Sequence, residues 1–329
     1  MRLGVIGTGS MGKNHVRVCS AVNICKLVGV SDIDKRAVKE TADRFDVKPF
    51  YNYKNLISKV DAAIIATPTS THYDIAMDFL KEGKHLLVEK PLCDNIEKAK
   101  SLVEKAEEED LVLAVGHIER HNPVAKSVKK SLEKGEFGKL ITLTSKRVGT
   151  FPGMIHDVGV ILDLGIHDID IMRYLVGEVE SVYSKSGGFK QDINFEDHAN
   201  IILNFENGLS GVVEVNWLTP IKIRKLFLTC SDYFVEADYV NQTITKSSSS
   251  LGKVDESYLY YLPIKSNIQK ISLEKREPLK NEIEDFIDAI VNSREPLTTG
   301  IDGMIALKIA TAAVLSSKEE KEIKIEEIE

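Results

Sequence analysis

The sequence predicts an α/β chain in which a doubly wound parallel sheet is followed by an α+β unit built on a large, mainly antiparallel sheet. Three observations carry the prediction. Up to about residue 120, short apolar runs alternate with amphipathic helical stretches. A glycine turn separates the first run from the first helix. Past residue 120, strand patterns follow one another with little helix between them. A chain of 329 residues also exceeds the usual reach of one hydrophobic core, so we divide it into residues 1–120 and residues 121–329.

The first element is the apolar run of "RLGVIGTGSMG", which turns through Gly7, Gly9 and Gly12 into a helical pattern containing Val16 and Val18. In this context the glycine spacing has a mechanical meaning. The first glycine makes the turn, the second admits a pyrophosphate to the backbone, and the third lets the helix pack close to the strand. The helix N-terminus then faces the anion. Gly7, Gly9, Ser10, Met11 and Gly12 are therefore candidate dinucleotide contacts, and the first half reads as an N-terminal Rossmann domain. The next run, "ICKLVGV", leads to Asp32, where a carboxylate can hold the adenosine ribose hydroxyls and repel a 2′-phosphate. NAD is thus favoured over NADP, with nearby Arg36 softening the preference. The structural alternative for Asp32 is a helix N-cap.

The alternation continues with "DAAIIA" as strand, "THYDIAMDFLKEG" as helix, "KHLLVE" as strand, "DNIEKAKSLVEKAEEE" as helix and "LVLAVG" as strand. Asp94 and Glu97 have the spacing of a capping box. Strands and helices of these lengths imply right-handed crossovers and a parallel sheet, whose ligands sit at the carboxyl edge. "ATPTSTH" and "EKP" fall on that edge. Beyond "GHIERHNP", one helix ("PVAKSVKKSLEKG") precedes the strand patterns "LITLTSKRVG", "VESVYSKSG", "HANIILNFENG", "LSGVVEVNWL" and "KIRKLFLTC". A hairpin turn is expected at Glu206, Asn207 and Gly208. "KSSSSLGK" (246–253) reads as a mobile loop, and amphipathic helices near 280–293 and 302–317 close the chain.

Composition narrows the partners. With 43 Lys and Arg against 50 Asp and Glu, the net charge of −7 argues against nucleic acid and anionic membrane. No secretory signal pattern follows Met1 and no segment offers an uninterrupted apolar membrane span, so a cytoplasmic protein with a small-molecule substrate is expected.

Between the strand patterns lies "ILDLGIHDIDI". As one helix over 161–176 it places Asp163, His167, Asp170 and Tyr174 on one polar stripe opposite a wide apolar arc. The bland explanation is a solvated or buried acid–histidine pair. The wider pattern says more: Gly7, Gly9 and Gly12, Asp32, "TPTSTH", "EKP" and "DLGIHDID" occur in the order found in the Gfo/Idh/MocA family of pyridine-nucleotide-dependent sugar and cyclitol dehydrogenases, which the chain resembles over nearly its whole length. The resemblance implies Lys90, Asp163 and His167 as catalytic and substrate-binding residues. Thr67, Pro68, His72, Glu89 and Lys90 are implied as cofactor contacts, with a cis Lys90–Pro91 bond. It also implies a homodimer or homotetramer joined through the C-terminal sheet. Residues 145–177 are similar to the archaeal branch that oxidises C3 of UDP-N-acetylglucosamine, although Thr150 stands where that branch has a proline and Gly153 and Met154 follow Pro152. Arg147 would then hold the diphosphate of a UDP-sugar, and its alternative is a surface strand arginine.

Histidine suits the removal of a hydroxyl proton near neutral pH, with Asp163 orienting its ring or holding a sugar hydroxyl and Lys90 stabilising the alkoxide. The rival within the class is a dehydrogenase of a free sugar or inositol, and a nucleotide sensor would need neither base nor alkoxide donor. No metal is expected. His117 and His121 of "HIERH" are spaced i, i+4, but Glu119 does not directly follow the first histidine, Asn122-Pro123 discourages helix there, and His156, Asp157, Asp197 and His198 supply no fixed short cluster.

Overall fold

The computed structural model describes residues 1–151, 153, 158–190, 194–251 and 264–328. Pro152, Met154, His156, Asp157 and Lys253 lie outside the described residues.

The first half runs β1 (Arg2–Ile6), α1 (Ser10–Ala21), β2 (Lys26–Ser31), α2 (Lys35–Phe45), β3 (Lys48–Phe50), α3 (Lys54–Ile57), β4 (Ala62–Ile65), α4 (His72–Lys81), β5 (His85–Val88), α5 (Ile96–Glu108) and β6 (Leu113–Val115). Its six strands lie in the order β3-β2-β1-β4-β5-β6, all paired in parallel. β4 is buried throughout, as expected of a strand covered by helices on both faces. The capping box at Asp94 is displaced by one residue. Asn95 is the N-cap of α5, accepting from the Lys98 amide at 2.9 Å, while Asp94 pairs with the Lys98 ammonium at 2.9 Å.

A single-turn 3₁₀ segment (Ile118–His121) and α6 (Pro123–Glu133) lead into the second sheet: β7 (Leu140–Thr150), a π turn (Ile161–Gly165) opening into α7 (Ile166–Val176), β8 (Val179–Gly187), β9 (His198–Phe205), β10 (Ser210–Asn216), β11 (Leu218–Cys230), β12 (Phe234–Asp238), β13 (Thr243–Leu251) and β14 (Ile264–Ile271). α8 (Pro278–Val291), α9 (Gly300–Glu319) and β15 (Ile323–Lys324) follow. The nine strands lie in the order β14-β13-β12-β11-β7-β10-β9-β8-β15, antiparallel except for β7 beside β10. Glu206, Asn207 and Gly208 form the turn between β9 and β10, with Gly208 at φ +80°. The stretch read as a mobile loop is instead largely strand: Lys246 to Leu251 pair along β14, and Phe234 to Val235 flank Lys246 and Ser247 from the other side. Neighbouring strands impose extension on a serine run whose own preference is weak.

Two returns of the chain join the halves. Leu279, Ile283, Phe286 and Ile287 of α8 pack with Leu3, Val5 and Val30 of the first sheet. α9 places Leu307 in the core beside β5 and β6 and Ile309, Ala310 and Ala313 in the core of the second sheet. α9 is also long and apolar enough to cross a membrane by composition, but these contacts identify it as a core helix.

The stripe predicted on residues 161–176 divides. Asp170 is buried and takes a two-pronged contact from Arg120 (Nε to Oδ2 2.9 Å, Nη2 to Oδ1 2.7 Å), whose guanidinium also reaches Asp302 of α9 at 3.1 Å and lies 5.1 Å from the Tyr174 ring. The charge of Arg120 and the hydrogen bonds around it hold the Asp302 carboxyl down at about 2 despite its burial. Removing one member of a buried ion pair leaves the other charge uncompensated, at a cost of about 3 kcal/mol. Asp170→Asn should therefore lower the unfolding free energy by about that amount in urea melts at neutral pH, while NAD affinity changes less than about twofold. A loss under about 0.5 kcal/mol would show that the network carries little.

Candidate active site

The glycine loop closes on itself tightly. A Cβ on Gly7, which sits at φ +92°, would stand 2.3 Å from the Ala66 carbonyl oxygen, and one on Gly12 would stand 2.0 Å from the Gly7 carbonyl oxygen. Gly9 has no heavy atom within 4 Å of that position, so the loop keeps an open cradle where a side chain would intrude. Gly9 is also the N-cap of α1, with no side-chain cap and no acidic residue in the first turn, which leaves amide donors for an anion. Asp32 is no helix cap; that role in α2 belongs to Asp34. Its carboxylate is aimed by the loop instead, accepting from the Thr8 amide at 2.6 Å, the Thr8 hydroxyl at 2.8 Å and the Asp34 amide at 2.9 Å. The cradle and the fixed carboxylate fit the pyrophosphate and ribose of NAD. Arg36 makes an exposed pair with Glu40.

At the carboxyl edge of β4 and β5, Thr67 and Pro68 lead into the turn before α4. His72 is buried, with Nε2 at 2.9 Å from the Thr67 carbonyl and Nδ1 at 3.0 Å from the Pro91 carbonyl, so it ties the two loops together and does not itself reach the cleft. Glu89 lies on the cleft floor, 2.7 Å from His15 Nε2. Burial opposes its charge, but the hydrogen bond and charge of His15 outweigh it and keep the carboxyl below its usual range. The Lys90–Pro91 bond is cis.

Between the halves opens a cleft of about 770 Å³ lined by residues of both, including Ser10, Met11, Lys90, Asp163, His167 and Trp217. The Lys90 ammonium crosses it to donate to the Asp163 carbonyl at 2.7 Å and to Asp163 Oδ1 at 3.1 Å. The indole of Trp217, the chain's single tryptophan, donates to Asp163 Oδ2 at 3.3 Å. Asp163 thus orients Lys90; its carboxylate makes no hydrogen bond to the His167 ring. His167 Nδ1 is enclosed without a partner among the described residues, which leaves Nε2 as the nitrogen facing the cleft. Burial, and then the charges of Lys90, Arg147 and Arg224, push the imidazole well below its ordinary value near 6.5. It is a neutral acceptor surrounded by cations.

Arg147 does not hold a surface position; it lines the cleft from beneath, with Nη2 buried and without a hydrogen-bond partner among the described residues. Its side chain is 1% exposed and donates through Nη1 to Glu119 at 2.8 Å and through Nε to Asp168. Sequence reasoning missed Trp217, Glu119, Lys222 and Arg224. For the last two a signal existed, because positions two apart on a strand share a face. Among the described residues no three His, Cys, Asp or Glu side chains converge as a metal-binding group. A second groove, about 880 Å³ along α8, holds acidic residues such as Asp285 and Asp288 that Arg294 already pairs.

A dinucleotide cradle feeding a two-sided cleft with an ammonium and a neutral imidazole defines the class: an NAD-binding oxidoreductase. The comparisons agree. Residues 1–117 match the oxidoreductase family with an NAD-binding Rossmann fold, and residues 125–232 match the GFO/IDH/MocA C-terminal domain. The chain is 31% identical to UDP-N-acetylglucosamine 3-dehydrogenase of Acidithiobacillus ferrooxidans over 94% of this chain and 95% of that one. It is 28% identical to myo-inositol 2-dehydrogenase of Thermotoga maritima over 100% and 99%. A solved structure of the Acidithiobacillus enzyme superposes with TM-score 0.85 at 30% identity, covering 97% of this chain and 98% of that one. The chain belongs to the Gfo/Idh/MocA family.

The sign of the His167 shift sets a pH dependence. A lowered pKa keeps the ring neutral, and able to accept a proton, to lower pH than an ordinary histidine. The acid limb of kcat/KM for oxidation should therefore lie below pH 6.5, the ordinary histidine value. An acid limb centred above that value, and lost in His167→Ala, would contradict the placement.

Proposed function

We propose that this protein is an NAD-dependent dehydrogenase that oxidises a secondary hydroxyl of a sugar or polyol to a ketone, with C3 of UDP-N-acetylglucosamine as its site of attack. The reading rests above all on one observation: Lys90 from the first half and His167 from the second line the same cleft, with Asp163 steering the ammonium. NAD, when bound, supplies the acceptor for the hydride. The protein's own groups do the rest. His167 Nε2 takes the hydroxyl proton, which a neutral imidazole is equipped to do. Lys90 donates to the same oxygen and stabilises its developing negative charge. Asp163 and Trp217 hold Lys90 at that station.

In this reading residues 1–120 bind the cofactor through Gly7, Gly9, Ser10, Met11, Gly12, Asp32 and the loops at Thr67 and Glu89, and residues 121–329 supply the substrate side. The setting is the cytoplasm. The outer face of the second sheet exposes Tyr183 and Ile202, paired across β8 and β9, together with Phe234 and Ile268. An apolar face of this kind suits self-association into a homodimer or homotetramer. The preference for a UDP-sugar draws on the Acidithiobacillus relative; the full-length similarity to myo-inositol 2-dehydrogenase supports an inositol as the second reading.

Reduction of NAD should be seen with UDP-N-acetylglucosamine and be much weaker with myo-inositol or simple hexoses at equal concentration. His167→Ala and Lys90→Met should each lose at least about 100-fold in turnover, with NAD binding retained. Near-normal turnover in either variant would remove that residue from the mechanism.

A further inference from the structure

The charges along the cleft do not cancel pair by pair. Lys90 is matched by Asp163 and Arg147 by Glu119 and Asp168, while Glu89 is hydrogen-bonded to His15. Lys222 and Arg224 line the same cleft and, among the described residues, neither side chain makes a salt bridge or a hydrogen bond. Glu119 and Asp168 act on Arg224 through space, yet their hydrogen-bonding oxygens are turned to Arg147. Within the local group of Arg147, Lys222, Arg224, Glu119 and Asp168, three cations face two carboxylates, and the Arg224 guanidinium has no hydrogen-bonded acceptor among the described residues. Burial and the neighbouring Arg147 charge press the Arg224 guanidinium downward, and the Arg224 charge does the same to Lys222. A protein of net charge −7 has placed two cations that, among the described residues, lack a hydrogen-bonded partner beside its reacting groups. Such an arrangement is unfavourable in the free protein and is relieved by an anion.

Both residues lie on β11, two apart, where Arg224 stands opposite Arg147 of β7 and the Lys222 Cα lies 4.0 Å from where a Gly149 Cβ would be. The next residue of β7, Thr150, lines both the cleft and an adjoining cavity of about 500 Å³. That cavity is walled by Phe151, Phe189, Trp217 and Pro220, with Phe151 and Trp217 edge to face at 5.2 Å. A cationic pair next to an aromatic hollow is the surface that a nucleoside diphosphate fits, its phosphates on the cations and its base against the rings.

We propose that Lys222 and Arg224 are the specificity-determining residues of the cleft, gripping the diphosphate of a nucleotide-linked sugar. Arg147, buried and doubly paired, shapes the strand beneath them. The proposal rests on the reading of the cleft as a sugar site, and its test is kept separate from turnover. The probe is UDP, titrated calorimetrically into full-length protein saturated with NAD so that the dinucleotide cradle is already filled. UDP should bind the wild type, and Lys222→Gln/Arg224→Gln should weaken it at least about 30-fold, the loss of two charge-assisted contacts. NAD affinity and the thermal midpoint should be unchanged. If the double variant does not fold, Lys222→Gln alone, at an exposed position, should still weaken UDP by about tenfold. No UDP binding to the NAD-loaded wild type, or equal affinity in wild type and variant, overturns the proposal even if sugars are oxidised. UDP discrimination with no oxidation of any sugar would instead leave the anion grip standing and remove the dehydrogenase reading.

Discussion

Two buried guanidinium–carboxylate contacts, Arg147 with Asp168 and Arg120 with Asp170, fix the helix on which the site depends. Both acids sit on α7 and both arginines come from elsewhere in the chain, one from β7 and one from the 3₁₀ segment that links the halves. Charges taken out of water are tolerated only when geometry and hydrogen bonding compensate them. Here each arginine finds a second carboxylate, Glu119 or Asp302, so the compensation is built in. The arrangement explains why an otherwise greasy helix carries so many polar residues. Asp168 and Asp170 anchor α7 from the sides buried in protein, while His167, and Asp163 of the preceding π turn, face the cleft.

The same clamps make the cleft a joint property of both halves. The segment carrying Glu119 and Arg120 follows β6 directly, so the carboxyl edge of the first sheet is tied to α7, and α9 is tied in through Asp302. Lys90 then needs only to reach across a gap of fixed width to meet Asp163. α8 and α9 add apolar contact with the first sheet behind this polar seam. Rigid elements holding the reacting groups at set positions are what acid–base work requires, since small displacements are costly in rate.

Much of this was legible in the sequence, and the failures share a cause. The glycine loop, the alternation of strands and helices and the hairpin at Gly208 are local patterns, and they appear where periodicity and turn chemistry placed them. The motif residues Lys90, Asp163 and His167 were singled out by the family resemblance, and the fold brings them to one cleft. Contacts made at long range were not legible. Arg147 reads as a strand residue of either face until Asp168 and Glu119 are seen beside it, and Asp170 reads as one more member of a stripe until Arg120 claims it. The π turn at 161–165 further shifts Asp163 relative to α7, so regular helical spacing could not give the stripe. Asp94 and Asn95 are adjacent residues of equal merit as caps, and only the helix phase chooses between them. The serine run at 247–250 became strand because β12 and β14 flank it, which no window on its own composition could reveal.

The positive field in the cleft also bears on the chemistry of His167. Burial comes first among the causes that hold its proton off, and the charges of Lys90, Arg147 and Arg224 follow. Arg147 and Lys90 are hydrogen-bonded to carboxylates, whereas Arg224 has no hydrogen-bonded partner among the described residues. An anion resting on Arg224 would subtract its contribution, and the imidazole would become a stronger base at the moment a hydroxyl is presented to it. An uncharged polyol in the same cleft would leave the field as it is. Discrimination between nucleotide-linked and free sugars would then act twice through one residue, once in binding and once, through its charge, in the proton transfer.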